Sequence, residues 1–505
     1  MNPSTGDKAQ QLKVAAVANG DEFCFDPEAV CAEMRRAQEG WAATTVSERL
    51  QVIRRFRHLL VEHAEAVAQS AMAPNHRALA EILTAEVIPL ADACRFLERR
   101  AEKILSPRHV GRWGRPLWLG GVSSDIRREP FGLVLIIAPS NYPLLLPGVQ
   151  TLHALVAGNA VLLKPGADGS RAARVFGRLL QTAGLAASLV QILSENPDAG
   201  QTAIRAGVDK IFFTGSAVTG AQILAQLAPR TVPSTMELSG CDAVIVRADA
   251  DLDLAVCALT FGLRLNSGQT CIAPRRVFVA RSVATEFEGR LTQAFARCTP
   301  VSFSPAQRER LSPLLHQALH SGAHLLAGKI LPDRQLVGPM VLAGIKPPLP
   351  LLTEDIFAPL LMVVTVADDD EAVAFANDCP YALGATIFSR DHAAIHSLTS
   401  RLNVGLVLVN DMIAPTADAR LPFGGRKLSG FGVTRGPEGL LEMTQTKVIT
   451  HRSGDWRPHF DELRDNDADL FKAYLMAAHG SGWRARLKAM KKMLSAAWQR
   501  KEKSP

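Results

Sequence analysis

Asn266-Ser267-Gly268-Gln269-Thr270-Cys271-Ile272-Ala273-Pro274 is a polar turn that carries a cysteine, set between a helical pattern and a strand beginning near Arg276. A cysteine thiolate adds to carbonyl carbons, and the sulfur-bound product is then open to cleavage by water. Because the thiolate is the reactive form, the site must supply surroundings that lower the pKa of the thiol. A lone unpaired cysteine is more often a small buried hydrophobe, so Cys271 needs company to count. Two other residue types would complete such chemistry: a carboxylate to activate water and an amide to hold a developing oxyanion. Glu237, in Met236-Glu237-Leu238-Ser239-Gly240, lies 34 residues before Cys271, and Asn141 sits in Pro139-Ser140-Asn141-Tyr142-Pro143. Taken alone, the first reads as a solvated strand end and the second as a turn residue between prolines.

The elements that must position these residues are legible in the hydrophobic pattern. Asp26-Pro27-Glu28 is a helix start, with Asp26 as N-cap and Pro27 in the first turn. Helical patterns follow over 33–41, 47–72 and 77–104, where apolar residues such as Leu50, Ile53, Phe56 and Leu60 recur at helical spacing. From Gly132 the pattern changes to short apolar runs between helical stretches. Runs at 133–138, 160–163, 190–193, 211–213 and 244–246 read as strands buried on both faces, hence a parallel, doubly wound sheet. A second set follows the cysteine, at 277–280, 361–366, 385–388 and 404–409. Phe213-Thr214-Gly215-Ser216 ends one strand and opens a helix, a place where backbone N–H groups and the helix dipole suit a pyrophosphate. It is not a P-loop, because Gly220 is followed by Ala221 where a lysine would be needed.

Composition narrows the function classes. The 505 residues are 47% hydrophobic and 21% charged, enough for two or three globular domains. Of the net charge of +7, residues 471–505 hold +8, from nine Lys and Arg against Glu502, which leaves the body near −1 and argues against a nucleic-acid surface. The eight cysteines are scattered, with no Cys-x-x-Cys pair and no Cys/His cluster at zinc spacing, so no metal site is expected and the pattern is that of a reduced compartment. No signal-peptide core is present, and the apolar run 131–149 is broken by Pro139, Asn141, Pro143 and Pro147. The expectation is a cytoplasmic enzyme.

In order along the chain, the motifs around Asn141, Lys164-Pro165-Gly166, Thr214-Gly215-Ser216, Glu237, Cys271, Glu354-Asp355-Ile356-Phe357-Ala358-Pro359 and Pro422-Phe423-Gly424-Gly425-Arg426-Lys427 resemble the NAD(P)-dependent aldehyde dehydrogenase superfamily. The resemblance runs from about Trp41 to about Thr450. It implies a Rossmann-type coenzyme domain (26–112 and 129–237, with a return segment 431–443) and an α/β catalytic domain (238–430). It also implies a small oligomerisation lobe (113–128 and 444–452), flanked here by a polar N-terminal segment (1–25) and a C-terminal extension (453–505). By the same resemblance, an aldehyde is oxidised to a carboxylic acid through a thiohemiacetal and a thioester on Cys271, with NAD or NADP as hydride acceptor. Asn141 and the Cys271 backbone N–H would hold the oxyanion, and Glu237 would activate the hydrolytic water. Lys164, Thr214, Gly215, Ser216, Leu238, Asp355 and Phe357 would bind the coenzyme. A homodimer or homotetramer is implied as well.

The alternatives are an acylating or semialdehyde-type relative, which the presence of Glu237 disfavours, and an idle structural or binding protein on the same fold. Departures from the family pattern include Ser140 for an aromatic, Ser239 for a glycine, Asp355 for a glutamate and Ala167 for an acid. The last predicts tolerance of NADP, with Arg171 as a phosphate partner. Beyond the resemblance, Trp483, Leu487, Met490, Leu494 and Trp498 fall on one helical stripe, with Arg484, Lys488, Lys491 and Lys492 mainly opposite. Such a basic amphipathic helix suits either an anionic membrane surface, and with it a lipid-soluble aldehyde, or docking on the body or a partner subunit.

Overall fold

A computed structural model of the chain describes residues 26–72, 77–332, 335–455, 457–465 and 467–502; the polar segment expected over 1–25 lies outside them. The chain forms two compact units, Met1–Pro107 with Arg127–Lys447, and Arg108–Ile126 with Val448–Pro505.

In the first unit, Asp26 caps helix Pro27–Ala43 by accepting from the N–H groups of Glu28 and Ala29. Thr45 and Glu48 close a reciprocal capping box on Val46–Glu62. The helices expected over 47–72 and 77–104 are both interrupted. The first breaks at His63, giving Val46–Glu62 and Ala64–Ser70. The second runs Leu79–Ile82, then a π-helical turn Leu83–Val87, then Ile88–Leu105. Pro89 explains the change of register: with no N–H to give the carbonyl four residues back, it forces the preceding turn to open. The open turn points Glu86, fully buried, into the protein.

Two α/β sheets follow, each parallel except at one edge. One is ordered Gly430–Phe431, Ser234–Leu238, Lys210–Gly215, Leu133–Ile137, Ala160–Lys164, Val190–Ile192, parallel except for its first pair. Its strand order reverses direction between Leu133–Ile137 and Lys210–Gly215, and ligands of doubly wound sheets bind in the crevice that such a switch opens at the carboxyl ends of the strands. Leu133, Leu135 and Ile136 are fully buried, each contributing roughly 1.5–3 kcal/mol by burial.

The second sheet is ordered Val301–Ser302, Leu336–Ala343, Leu360–Val366, Pro274–Ala280, Asp242–Val246, Gly384–Phe388, Leu406–Val409, with His324–Ile330 also paired to Leu336–Ala343. Those last two strands are absent from the sequence pattern. Gly338 and Pro339 interrupt the middle of Leu336–Ala343 and disguise it, since both residues normally weaken a strand.

A three-stranded sheet is ordered Arg108–Val110, Val122–Pro130, Thr444–Arg452. The second unit also holds helices Asp467–His479 and Trp483–Glu502, which pack on each other. Among the described residues, no helix is long and apolar enough to cross a membrane.

Candidate active site

Helix Leu252–Arg264 ends in a tight turn, Leu265–Gly268, in which Asn266 and Ser267 both adopt left-handed backbone, at φ 47° and 50°. That conformation is rare for residues with a Cβ and is held by the surroundings. The Asn266 backbone N–H donates to Glu81 Oε1 at 3.0 Å, and its side-chain Nδ2 donates to the carbonyl of Asn141 at 2.9 Å. Gly268 lies so close to Pro359 that a Cβ would stand 2.8 Å from the proline Cα. Arg275, buried, donates to the carbonyls of Ala358 (2.5 Å) and Gly268 (2.6 Å), tying the cysteine turn to the Phe357 loop. Tyr142 hydroxyl and Thr270 Oγ1 share a hydrogen bond of 2.7 Å on the other side.

Asn141 follows strand Leu133–Ile137 in a turn anchored from beneath. Glu86 Oε2 accepts the N–H groups of Leu144 and Leu145, while its Oε1 accepts from Arg77, whose guanidinium sits over the Tyr142 ring. Asn141 Nδ2 donates to the carbonyl of Gln269 at 3.0 Å, two residues before the cysteine, so one of its two N–H bonds is committed and the other is free. Gly166 brings the next loop against this turn: a Cβ there would be 2.4 Å from the Pro139 carbonyl.

Glu237 is in strand Ser234–Leu238, in register with Thr214 on one side and Gly430 on the other. It is buried, with Oε2 accepting from Thr434 Oγ1 at 3.2 Å and Oε1 without a partner. Burial raises its pKa above the ordinary carboxylate range, opposed by the charge of Arg435 and the Thr434 hydrogen bond. Cys271 is partly exposed at the cleft. The crowding around its sulfur pushes the thiol pKa up, the charges of Glu237 and Asp242 add to that, and Arg435 and the Ile272 N–H oppose it. The resting residue is therefore a thiol, where the sequence called for a lowered pKa.

One cavity of about 690 Å³ gathers these residues. Asn141, Glu237 and Cys271 line it, together with Lys164, Thr214, Gly215, Ser216, Leu238, Asp355 and Phe357. Lys164 ends strand Ala160–Lys164, and burial lowers its pKa against the opposing charge of Glu195. Ser216 caps helix Ala217–Leu227, accepting from Thr219 N–H at 3.2 Å, which presents the first N–H groups of that helix at the cavity. Asp355 faces the cavity, whereas Glu354 is paired with Arg310 at 3.0 Å. Ala167 and Ser140 also line it; Arg171 is exposed and is not among the lining residues. A buried lysine, an open helix N-terminus and a cleft of this size at a switch point fit a dinucleotide. Sequence reasoning missed Thr434, Arg435, Arg275 and Arg310. All but Thr434 are arginines, Arg275 in strand Pro274–Ala280, Arg310 in helix Pro305–His320 and Arg435 at the cap of Gly436–Leu441, and nothing in their spacing separates them from solvated charges.

A buried carboxylate, a thiol and an amide lining one cleft of dinucleotide size are groups that a thiol-dependent oxidoreductase would use. Residues 2–449 match the family model described as "Aldehyde dehydrogenase family". Over 461 residues the chain is 31% identical to a protein of Methylomonas sp. named 4,4'-diapolycopene aldehyde oxidase, covering 88% of this chain and 86% of that one. Two crystal structures superpose with a TM-score of 0.77 each. One is a Mycobacterium tuberculosis aldehyde dehydrogenase complexed with NAD+ (26% identity, 84% of this chain and 89% of that one). The other is an NADP-dependent glyceraldehyde-3-phosphate dehydrogenase from Bacillus halodurans C-125 complexed with NADP (28% identity, 84% and 91%). The chain belongs to the aldehyde dehydrogenase family. It is an oxidoreductase that oxidises an aldehyde to a carboxylic acid with NAD or NADP.

Proposed function

We propose that Cys271 is the nucleophile, that Asn141 and the Cys271 backbone N–H hold the oxyanion, and that Glu237 is the base. What carries this reading is the convergence of all three on one cavity with the residues of the dinucleotide site. Cys271 must first give up its proton at the cleft, where the residue is partly exposed. The sulfur then adds to the aldehyde carbonyl, and the free N–H of Asn141 can meet the oxygen as it gains charge. Bound NAD or NADP supplies the hydride acceptor that turns the adduct into a thioester. Glu237 next takes a proton from water, and hydroxide displaces the acid from sulfur. Lys164, Thr214, Gly215, Ser216, Leu238, Asp355 and Phe357 hold the coenzyme. On this reading, 26–112, 129–237 and 431–443 form the coenzyme domain and 238–430 the catalytic domain.

Cys271→Ala is the test. It should abolish turnover across an aldehyde panel while calorimetry still registers coenzyme binding, because the sulfur makes little contact with the dinucleotide. Normal turnover by that variant would sink the assignment.

A cytoplasmic homodimer or homotetramer is also proposed; the oligomer is supported by strand Thr444–Arg452, which ends its sheet with an exposed outer edge that no other strand of the described residues pairs. The extension favours peripheral membrane contact and a lipid-soluble aldehyde. Helix Trp483–Glu502 contacts Asp467–His479, and the buried apolar positions among the described residues are Ala473 and Ala489; Trp483, Leu487, Met490, Leu494 and Trp498 are exposed. Arg486 closes the pair by donating to the carbonyls of Ala477 and Ala478. Co-sedimentation with anionic liposomes, comparing the full chain with one cut after Asp469, should show binding only by the full chain. Equal binding, or none at low salt, would remove the membrane reading.

A further inference from the structure

Of the charged residues that line the cavity, Glu237, Lys164 and Asp355 have roles above and Arg310 has none. Arg310 stands in the second turn of helix Pro305–His320, whose start is fixed by a reciprocal capping box between Ser304 and Gln307. The same Gln307 donates from Nε2 to the Phe357 carbonyl at 2.6 Å, so the helix is fastened to the loop 354–358. Both reach the cavity, the helix through Arg310 and the loop through Asp355 and Phe357. The Arg310 side chain is half exposed, and its Nη2 donates to Glu354 Oε2 at 3.0 Å. That uses one of the five N–H groups a guanidinium carries, and an ion pair between side chains this exposed contributes little. Arg310 is therefore free to exchange Glu354 for a ligand that brings more negative charge. Asp355, next in the chain to Glu354, is buried, lines the cavity and makes no ion pair among the described residues.

We propose that Arg310 binds the coenzyme, leaving Glu354 to donate to the phosphate on the nicotinamide side of the pyrophosphate. This rests on the reading of the cavity as the coenzyme site. The choice of phosphate follows from what the loop is tied to. A nicotinamide has to lie beside Cys271 to take the hydride, and Arg275 joins the Cys271 turn to the loop 354–358 through the carbonyls of Gly268 and Ala358. Arg310 thus faces the nicotinamide half, whose anionic atoms are its phosphate oxygens. Brought up to this wall, that phosphate meets two consecutive acids, Glu354 and Asp355, and a phosphate so placed is repelled unless a cation stands with them. Lys164 ends a strand of the other sheet, so Arg310 is the cation that this wall supplies. Its planar fork suits two phosphate oxygens at once.

The test is calorimetry with AMP, ADP-ribose and NAD on the full chain, in the parent, R310Q, R310K and E354Q. ADP-ribose carries both phosphates of the coenzyme, and AMP only the one on the adenosine side. In R310Q the Kd for ADP-ribose and for NAD should rise about tenfold while that for AMP stays at the parent value. R310K, which keeps the charge and loses the fork, should fall between parent and R310Q. E354Q, which releases the guanidinium, should bind ADP-ribose at least as tightly as the parent. Added salt should weaken ADP-ribose binding more steeply in the parent than in R310Q. Equal losses for AMP and ADP-ribose in R310Q, or no loss for either, would overturn the proposal. So would unchanged ADP-ribose binding by R310Q with a raised KM for an anionic semialdehyde, which would give Arg310 to the carboxylate of the substrate. A parent that binds none of the three ligands would instead remove the coenzyme site itself, whatever the Arg310 variants do.

Discussion

Cys271 keeps its proton at rest because burial and two carboxyl groups outweigh one guanidinium and one backbone N–H. Glu237 is itself raised by burial and has one carboxyl oxygen without a partner, placed to take a proton from water. Glu237→Gln should therefore permit a first burst of reduced coenzyme and then stall at the acyl-enzyme, because hydrolysis needs the carboxylate and hydride loss does not. Stopped-flow traces with no burst from a folded variant would give Glu237 an earlier role. The raised pKa also fixes the pH dependence: the base works when ionised, so turnover should fall as pH drops through a value above the ordinary glutamate range. An acid limb at or below the range of exposed glutamates would contradict this. Ala167 makes a separate prediction. With no carboxylate at this point of the cavity, NADP should be used as well as NAD, and Ala167→Glu should cut the kcat/KM ratio for NADP over NAD about tenfold by repelling the 2′-phosphate. Strict NAD selectivity in the parent would refute it.

At the scale of elements, most strands of the two sheets were legible as short apolar runs buried on both faces, but Ser234–Leu238, which carries Glu237, was not, because Ser234, Thr235 and Glu237 break its apolar pattern. The cap at Asp26 and the strand-to-helix step at Thr214-Gly215-Ser216 were legible because local chemistry sets them. The π-helical turn was not, since it follows from the missing N–H of Pro89 and shows its purpose only when Glu86 meets the Leu144 and Leu145 N–H groups across the fold. Arg275 and Arg435 were invisible for a similar reason: carbonyls that hold them, those of Ala358 and Thr416, come from other parts of the chain, and by its neighbours alone an arginine looks solvated. Gly166 shows how tightly the elements are joined. With the Pro139 carbonyl 2.4 Å from where a Cβ would stand, Gly166→Ala should destabilise the fold by about 1–3 kcal/mol and weaken coenzyme binding, as thermal unfolding and calorimetry would show. An unchanged Tm would mean that the two loops are not in contact. Asp242, joined to Gly384 N–H at 3.1 Å, has its pKa raised by burial to about 8. A carboxyl raised on folding contributes stability at low pH that is lost as pH climbs toward about 8, so Asp242→Asn should flatten the fall in stability over that window. A parent and variant with parallel pH profiles would show that Asp242 ionises normally.

For the whole molecule, the family match ends at residue 449 and the positive charge is concentrated beyond it, so the proposed surface attachment falls outside the family-like region. A chain cut after Asp469 should keep its turnover on water-soluble aldehydes and lose only binding to anionic vesicles; loss of soluble turnover would tie the extension to the active site. That extension was legible as an amphipathic helix, whereas its packing through Ala473 and Ala489, which leaves the tryptophan stripe outward, required the fold. Covalent catalysis at Cys271 is tested most directly by mixing Glu237→Gln with coenzyme and each aldehyde of a panel that includes a semialdehyde and a long-chain aldehyde, then determining peptide masses. The expected result is an acyl adduct on the Cys271 peptide, formed in step with the burst of reduced coenzyme. Reduced coenzyme accumulating with no adduct at Cys271 would contradict it.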